Sequence, residues 1–503
     1  MQSEGQTHGA EASGAGIDVR SLIAGRWVAE GGDVIETVSL ATGEPAGRVR
    51  QCSAGQVDVA VAAARAAQRA WREASIATRT EPLMRVHALL DERKTELAHA
   101  ITADMGKTLR HSLEEVDGAR LTIEEGVADV RRNFGEIPPS TSATPTAAAR
   151  VSKRVLVTHV PVGVVSIITT WNFPVAIAAE QLASALGFGN TVVWKPSEVA
   201  PTSSHLVAEI LLDAGFPAGV VNVLHGAGEI GARMVAHPDV DMVSFVGSIE
   251  TGERIARAAG IKQLLLELGG NGPLVVMDDA DLDAAVEATI SSAFYVGGQV
   301  CTAAERVLVQ SSVHDEFVAK LLQRTSEIKA GDPLDDQSYL GPMATESAIE
   351  KTTAHVRDAV TRGARVVAGG SADGRYFPPT VLVDVDPAME IAQEETFGPV
   401  APIIRFASRE QALEIANGTR YGLQAAVFTS SLESAWYMAE GLECGTVHIN
   451  EGTNHWELLA PFGGVKQSGV GRILGSRSAF TRPKQITFEP SPMSGTDQDA
   501  REG

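Results

Sequence analysis

Three short stretches hold residues that could do chemistry together. In GGQVCTAAER, residues 297–306, Cys301 sits among glycines, a glutamine and small residues. Most free cysteines are small buried hydrophobes. Gly297, Gly298 and Gln299, however, are poor core material, and glycine lets backbone come close to a ligand, the access that a thiolate nucleophile needs. In LELGGNG, residues 266–272, Glu267 closes an apolar run. It is either exposed at a strand end or held in a dry cleft, where a raised pKa suits a carboxylate to general-base work. In TTWNFPVAIAAE, residues 169–180, Asn172 precedes Pro174 at a strand-to-helix turn. Its side chain serves either as a helix N-cap or as an amide donor to an oxyanion.

Two more stretches suggest a phosphate-bearing ligand. WKPSE, residues 194–198, puts Lys195 and Glu198 at the end of an apolar run. Both are either solvated charges or ligands at the carboxyl end of a parallel strand, where open α/β sheets bind. In FVGSIETG, residues 245–252, the amides of Gly247 and Ser248 open onto a helix N-terminus, a ready anion site. The spacing is neither GxGxxG nor a P-loop.

The elements that must position these residues follow from periodicity. GVVSIIT, NTVVWK, GVVNVL, DMVSFVG and KQLLLEL read as buried strands between residues 163 and 268. PVAIAAEQLASALGFG, SHLVAEILLDAG, GEIGARMVAH and ETGERIARAAG between them read as helices. That alternation predicts a parallel sheet with helices on both faces. Upstream, VDVAVAAARAAQRAW and LMRVHALLDERKTELAHAI have helical spacing. After NGPLVVMDD a second α/β pattern begins, with helices near 281–296 and 314–330 and strands at RVLVQ, ARVVAGG and TVLVDV. The boundary between the two α/β domains is expected near 268–272. PPSTSATPTAAAR, 138–150, reads as a connector and KRVLVTHVPVG as an edge strand. Residues 1–18 and 492–503 read as disordered tails.

Composition narrows the function class. Lys plus Arg number 42 against 63 acids, a net charge of −21, which argues against nucleic-acid backbones as partners. Cys52, Cys301 and Cys444 are far apart, with no CxxC or HExxH spacing. Neither a disulfide framework nor a metal site is expected, in keeping with a reducing compartment. No apolar run approaches the roughly 20 residues of a membrane span, and the start MQSEGQTHGAEASGAG lacks a signal-peptide pattern. The expectation is cytoplasmic, with no membrane partner.

In their order these five segments, with DMGKTL (104–109), EETFGPV (394–400) and PFGGVKQSGVGR (461–472), resemble the NAD(P)-dependent aldehyde dehydrogenase superfamily over roughly residues 20–490. The resemblance implies a Rossmann-like parallel-sheet NAD-binding domain over 19–140 and 160–268 and an α/β catalytic domain over 269–475. A small β oligomerisation element over 141–159 and 476–491 would build a homodimer or homotetramer.

It implies that Cys301 attacks the aldehyde carbon, that Asn172 and the Cys301 amide hold the oxyanion, and that hydride passes to nicotinamide to leave a thioester. Glu267 would activate the water that hydrolyses it. By the same resemblance Lys195 and Glu198 lie on the adenosine ribose, and Gly228, Gly247 and Ser248 near the adenine and pyrophosphate. Glu395 lies on the nicotinamide ribose with Phe397 beside it, and Trp171 is a further cofactor contact. Glu198 favours NAD, since it accepts from a 2′-OH and repels a 2′-phosphate, although some relatives use NADP as well.

Three rivals fit less well. CoA-acylating semialdehyde dehydrogenases usually lack the acid that Glu267 supplies. A non-catalytic binding protein of the family would have lost Cys301, Glu267 or Asn172, and a cysteine hydrolase would not need Lys195, Glu198 and Glu395. In TNHWELLA, 453–460, Trp456 offers an apolar wall and no arginine is present. An aromatic or medium-sized apolar aldehyde is therefore expected, with Val300 and Thr302 as further substrate contacts. A succinate-type or other carboxylated semialdehyde is the alternative, and Arg120 or Arg132 entering the tunnel would favour it.

Overall fold

The computed structural model describes residues 17–29, 31–139, 153–474 and 479–488. The tail over 492–503, most of the connector and most of the 1–18 segment lie outside them. Ile17 and Asp18, expected in the disordered tail, instead begin a strand that pairs in parallel with Gly47 and Arg48.

Two parallel α/β sheets carry the architecture. The first has eight strands, in the order 469–470, 263–268, 242–247, 164–168, 191–195, 221–223, 22–23 and 26–27. Its five central strands are parallel and are nearly all buried apolar residues. Burial on both faces explains why these runs are continuously apolar rather than alternating. The chain moves outward from strand Val164–Ile168 to 191–195 and 221–223, then returns to place 242–247 on its other side. Strand order therefore reverses between Ile168 and Gly247, the kind of point where open sheets leave a ligand crevice.

The second sheet has seven strands, in the order 365–368, 380–383, 400–406, 306–310, 273–276, 424–428 and 446–449. All are parallel except the first, an antiparallel edge. Only Gly269–Gly272 separates the end of Gln263–Leu268 in one sheet from the start of Pro273–Val276 in the other. Arg306 ties this junction together. It is 2 % exposed, and its guanidinium donates to the carbonyls of Asn271, Ile415 and Ala416. The last two end helix Arg409–Asn417, where the dipole is negative.

Strands Arg154–Pro161 and Thr481–Phe488 form a separate antiparallel ribbon. Gly469–Val470 adds an antiparallel edge to the first sheet beside Leu266 and Glu267. Among the described residues no helix is long and apolar enough to cross a membrane, and no group of three His, Cys, Asp or Glu could hold a metal.

Candidate active site

Because the five strands run in parallel, their carboxyl ends share one edge of the sheet. Trp171 and Asn172, Lys195 and Glu198, Gly247 and Ser248, and Glu267 all lie at or just beyond those ends. The turn after Ile168 is held from below by a buried ion pair. Lys107 Nζ lies 2.6 Å from Glu115 Oε2, both side chains fully buried. Glu115 Oε1 accepts from the amides of Val175 and Ala176, at 2.8 and 3.1 Å. These are orphan donors at the start of helix Ala176–Gly187. Glu115 thus does the capping, and Asn172 stands clear of the helix. Asn172 is 2 % exposed, its Nδ2 donates to the Gln299 carbonyl at 3.0 Å, and its Oδ1 is buried without a partner among the described residues. Asn172 therefore sits against the segment that carries Cys301.

That segment is a distorted 3-10 turn, Tyr295–Gly298, in which Val296, Gly297 and Gly298 all have φ between 53° and 68°. A Cβ on Gly298 would lie 2.1 Å from the Gly398 carbonyl oxygen. These glycines are required by backbone sign and close packing, more than by approach of a ligand. Gln299 locks the turn from both ends, accepting from the Ala344 amide and donating to the Val296 carbonyl. Opposite, a Cβ on Gly270 would lie 2.1 Å from the Cys301 carbonyl oxygen. The glycine after the Glu267 strand is what lets the cysteine turn and the acid approach one another.

Glu267 is 8 % exposed, and burial raises its pKa to about 7, against which a hydrogen bond with Cys301 acts. Burial pushes the Cys301 thiol well above its ordinary value, and the Glu267 carboxylate adds to that. The thiol therefore needs a base before it can attack, and the adjacent acid has an affinity suited to taking and releasing a proton near neutrality. Both side chains line a cavity of about 570 Å³.

The remaining sequence candidates fall on two sides of the cysteine. Val300 and Trp456 line the same cavity, and Trp456 packs on Phe462 with ring centroids 4.4 Å apart. Thr302 does not line it. The Thr302 side chain is turned away, its hydroxyl donating to Asn454 Oδ1 at 2.7 Å. Arg120 and Arg132 pair with acids on or near their own helix and do not line the cavity.

On the other side, Lys195 is 4 % exposed and bridges to Glu198 at 3.1 Å. Ser248 caps helix Ile249–Ala259 through the Thr251 amide. A side chain on Gly228 would meet nothing within 4 Å. Glu395 is pushed up to about 8 by burial, and its Oε1 accepts from the Gly270 amide at 2.9 Å. Phe397 and Trp171 meet edge to face at 5.7 Å.

Several contributors were not singled out in the sequence. Glu305, four residues after the cysteine, accepts from the amides of Thr396 and Phe397 and so holds the loop that presents Glu395. His225, two residues after strand Val221–Val223, has a buried Nε2 without a partner among the described residues. Glu180 lines the substrate cavity from helix Ala176–Gly187. The single acid in a mostly apolar helix was the available signal for Glu180. His225 and Glu305 have no comparable local signal.

A thiol, a carboxyl and an amide thus gather beside the reversal point of a parallel sheet, at its seam with a second sheet, an arrangement of the class in which a dinucleotide and a cysteine work together. Comparison with known proteins makes the class specific. The model of the aldehyde dehydrogenase family matches residues 27–486, and the chain belongs to that family. It is 38% identical over 480 residues to the mitochondrial succinate-semialdehyde dehydrogenase of Arabidopsis thaliana, covering 94% of this chain and 89% of that one. It is 39% identical to the NADP(+) succinate-semialdehyde dehydrogenase of Escherichia coli, covering 90% and 94%. Betaine aldehyde dehydrogenase of Staphylococcus aureus, solved with NAD+, superposes with a TM-score of 0.88 at 33% identity, covering 94% and 98%.

Proposed function

We propose that the protein oxidises an aldehyde to the carboxylic acid, with Cys301 as nucleophile, Asn172 and the Cys301 amide as oxyanion donors, and Glu267 as base. The observation that carries this is that Glu267 and Cys301 hydrogen-bond in one cavity at the seam of the two sheets, while Asn172 is buried against the Gln299 carbonyl, two residues before the thiol. Glu267 takes the thiol proton, and the thiolate adds to the carbonyl carbon to give a hemithioacetal oxyanion facing the Asn172 amide. Loss of hydride leaves a thioester on Cys301. Glu267, having released its proton to solvent, then takes one from water, whose oxygen attacks the thioester and expels the thiolate. Splitting a hard oxidation into two easier steps is the benefit of covalent catalysis.

The carboxyl ends of the parallel strands, at the reversal point, suit a dinucleotide. The helix N-terminus at Ser248 suits the pyrophosphate, the Lys195–Glu198 pair and Glu395 suit ribose hydroxyls, and the buried Nε2 of His225 awaits a partner. When bound, the nicotinamide supplies the hydride acceptor. Glu198 supports NAD over NADP, because a 2′-phosphate beside it would be repelled. A homodimer or homotetramer would use the ribbon of Arg154–Pro161 and Thr481–Phe488.

For the substrate we favour a medium-sized or aromatic apolar body, because Phe173, Tyr295, Trp456 and Phe462 line the cavity. The relatives' names favour a second reading, a carboxylated semialdehyde, yet no Lys or Arg lines the cavity among the described residues. NADH formation across an aldehyde panel, with NAD and NADP compared, tests the proposal. Turnover of no aldehyde, or full turnover by Cys301→Ala, would refute it.

A further inference from the structure

The cavity leading to Cys301 is unevenly charged. Five carboxylates line it, Glu114, Glu115, Glu180, Glu267 and Glu451, with no Lys or Arg among the described residues. Four have partners or a task. Glu115 is held by Lys107 and two amides, Glu267 faces the thiol, Glu114 accepts from the Tyr295 hydroxyl and Glu451 from the Gly452 amide.

Glu180 differs. It is 8 % exposed, and its Oε1 is buried without a hydrogen-bond partner among the described residues. The helix around it is otherwise alanine, leucine, isoleucine and glycine, apart from Ser184 and Gln181, which accepts from Ser244. A buried carboxyl that lines a ligand cavity and lacks a partner in the protein is set up to receive one from the ligand. Burial and the neighbouring Glu267 push its pKa up to about 8, so it holds its proton near neutrality. An anionic ligand end would meet acids and no Lys or Arg in the wall among the described residues. A cation would draw the proton off Glu180 and pair with the carboxylate, with the aromatic ring of Trp456 in the same wall, a side chain that suits ammonium groups.

We propose that Glu180 is a specificity-determining residue, reading a positively charged ammonium group on the far end of an aldehyde whose carbonyl meets Cys301. This rests on the dehydrogenase reading above and replaces its wholly apolar substrate by one with an apolar stem and a cationic end. It places the substrate with aldehydes derived from amines, and so downstream of a reaction class that oxidises or transaminates a polyamine or amino alcohol.

The test compares two aldehydes of one shape, 4-trimethylammoniobutanal and its uncharged isostere 5,5-dimethylhexanal, with succinate semialdehyde as the anionic control. The wild type should prefer the cation over the isostere by about tenfold or more in kcat/KM. In Glu180→Gln that ratio should fall by about 10- to 100-fold, the range for a paired charge, since a quaternary ammonium has no N–H to donate, and Glu180→Asp should recover part of it. Tetramethylammonium should compete with the neutral aldehyde in the wild type, a reading that needs no variant. Equal use of the two isosteres, preference for succinate semialdehyde, or an unchanged ratio in Glu180→Gln overturns the inference while leaving the dehydrogenase reading intact. If no aldehyde turns over, the dehydrogenase reading fails. The ammonium site is then decided by whether tetramethylammonium slows alkylation of Cys301 by iodoacetamide in the wild type and not in Glu180→Gln.

Discussion

Replacing Glu267 by Gln removes the base from both halves of the reaction and has a second, thermodynamic consequence. Acylation of Cys301 ends with one equivalent of NADH, whereas turnover also requires a base for water. Glu267→Gln should therefore still release up to one equivalent of NADH per site, formed more slowly because the thiol has lost its base, with steady-state kcat lower by about 10²- to 10⁴-fold, the usual worth of a positioned general base. In the wild type the carboxyl titrates near 7 because it is buried. Deacylation should then rise about tenfold from pH 5 to pH 6, reach half its limit near pH 7 and level off by about pH 8. Stability should move the other way. The unfolded carboxyl releases its proton near the ordinary value of 4.5, the folded one near 7. Between those values the folded state binds more protons, so stability falls as pH rises, by up to about 3 kcal/mol at 1.36 kcal/mol per unit. Gln mimics the protonated form and escapes that loss. Glu267→Gln should match the wild type in thermal melting at pH 5 and exceed it at pH 8. A variant that is both less active and more stable cannot be explained by misfolding. Normal steady-state turnover by Glu267→Gln, or a melting temperature below wild type at pH 8, would refute the assignment.

Other substitutions test the supports. Lys107→Met leaves Glu115 charged and buried without its partner; it should cost about 3–5 kcal/mol, read by denaturant unfolding, and cripple the Asn172 turn in protein that still folds. Gly270→Ala pushes a methyl toward the Cys301 carbonyl and should slow alkylation of that thiol at least about tenfold, by a shift of the turn at an overpacking cost of about 1–3 kcal/mol. Glu198→Ser removes the charge that opposes a 2′-phosphate, and the NADP to NAD ratio of kcat/KM should rise by about tenfold or more. An unchanged ratio would show that Glu198 does not face the ribose.

What could be read from the residues, and what could not, divides along locality. The strands of the first sheet were legible because both faces are buried, so each appears as an unbroken apolar run between helices of ordinary period. Cys301, Glu267 and Asn172 were visible as chemistry at element ends, but each also had an innocuous role. Only non-local contacts separate the two. Asn172 could not be told from an N-cap until Glu115, some sixty residues earlier in the chain, was seen to cap that helix. Glu305 lay inside the stretch that carries the nucleophile, yet its partners are amides some ninety residues later, and no local period encodes such a pairing. Gly469–Val470 is too short to have a period at all, although it pairs with Leu266 and Glu267. Glu180 is the contrary case, since its signal was local and legible. A single acid within AIAAEQLASALG, on a helix that is mostly apolar and buried, breaks the pattern of its neighbours. Sequences that break a local rule without an evident structural return tend to do so where a ligand completes the site, and Glu180 is where this chain does so beside its cysteine.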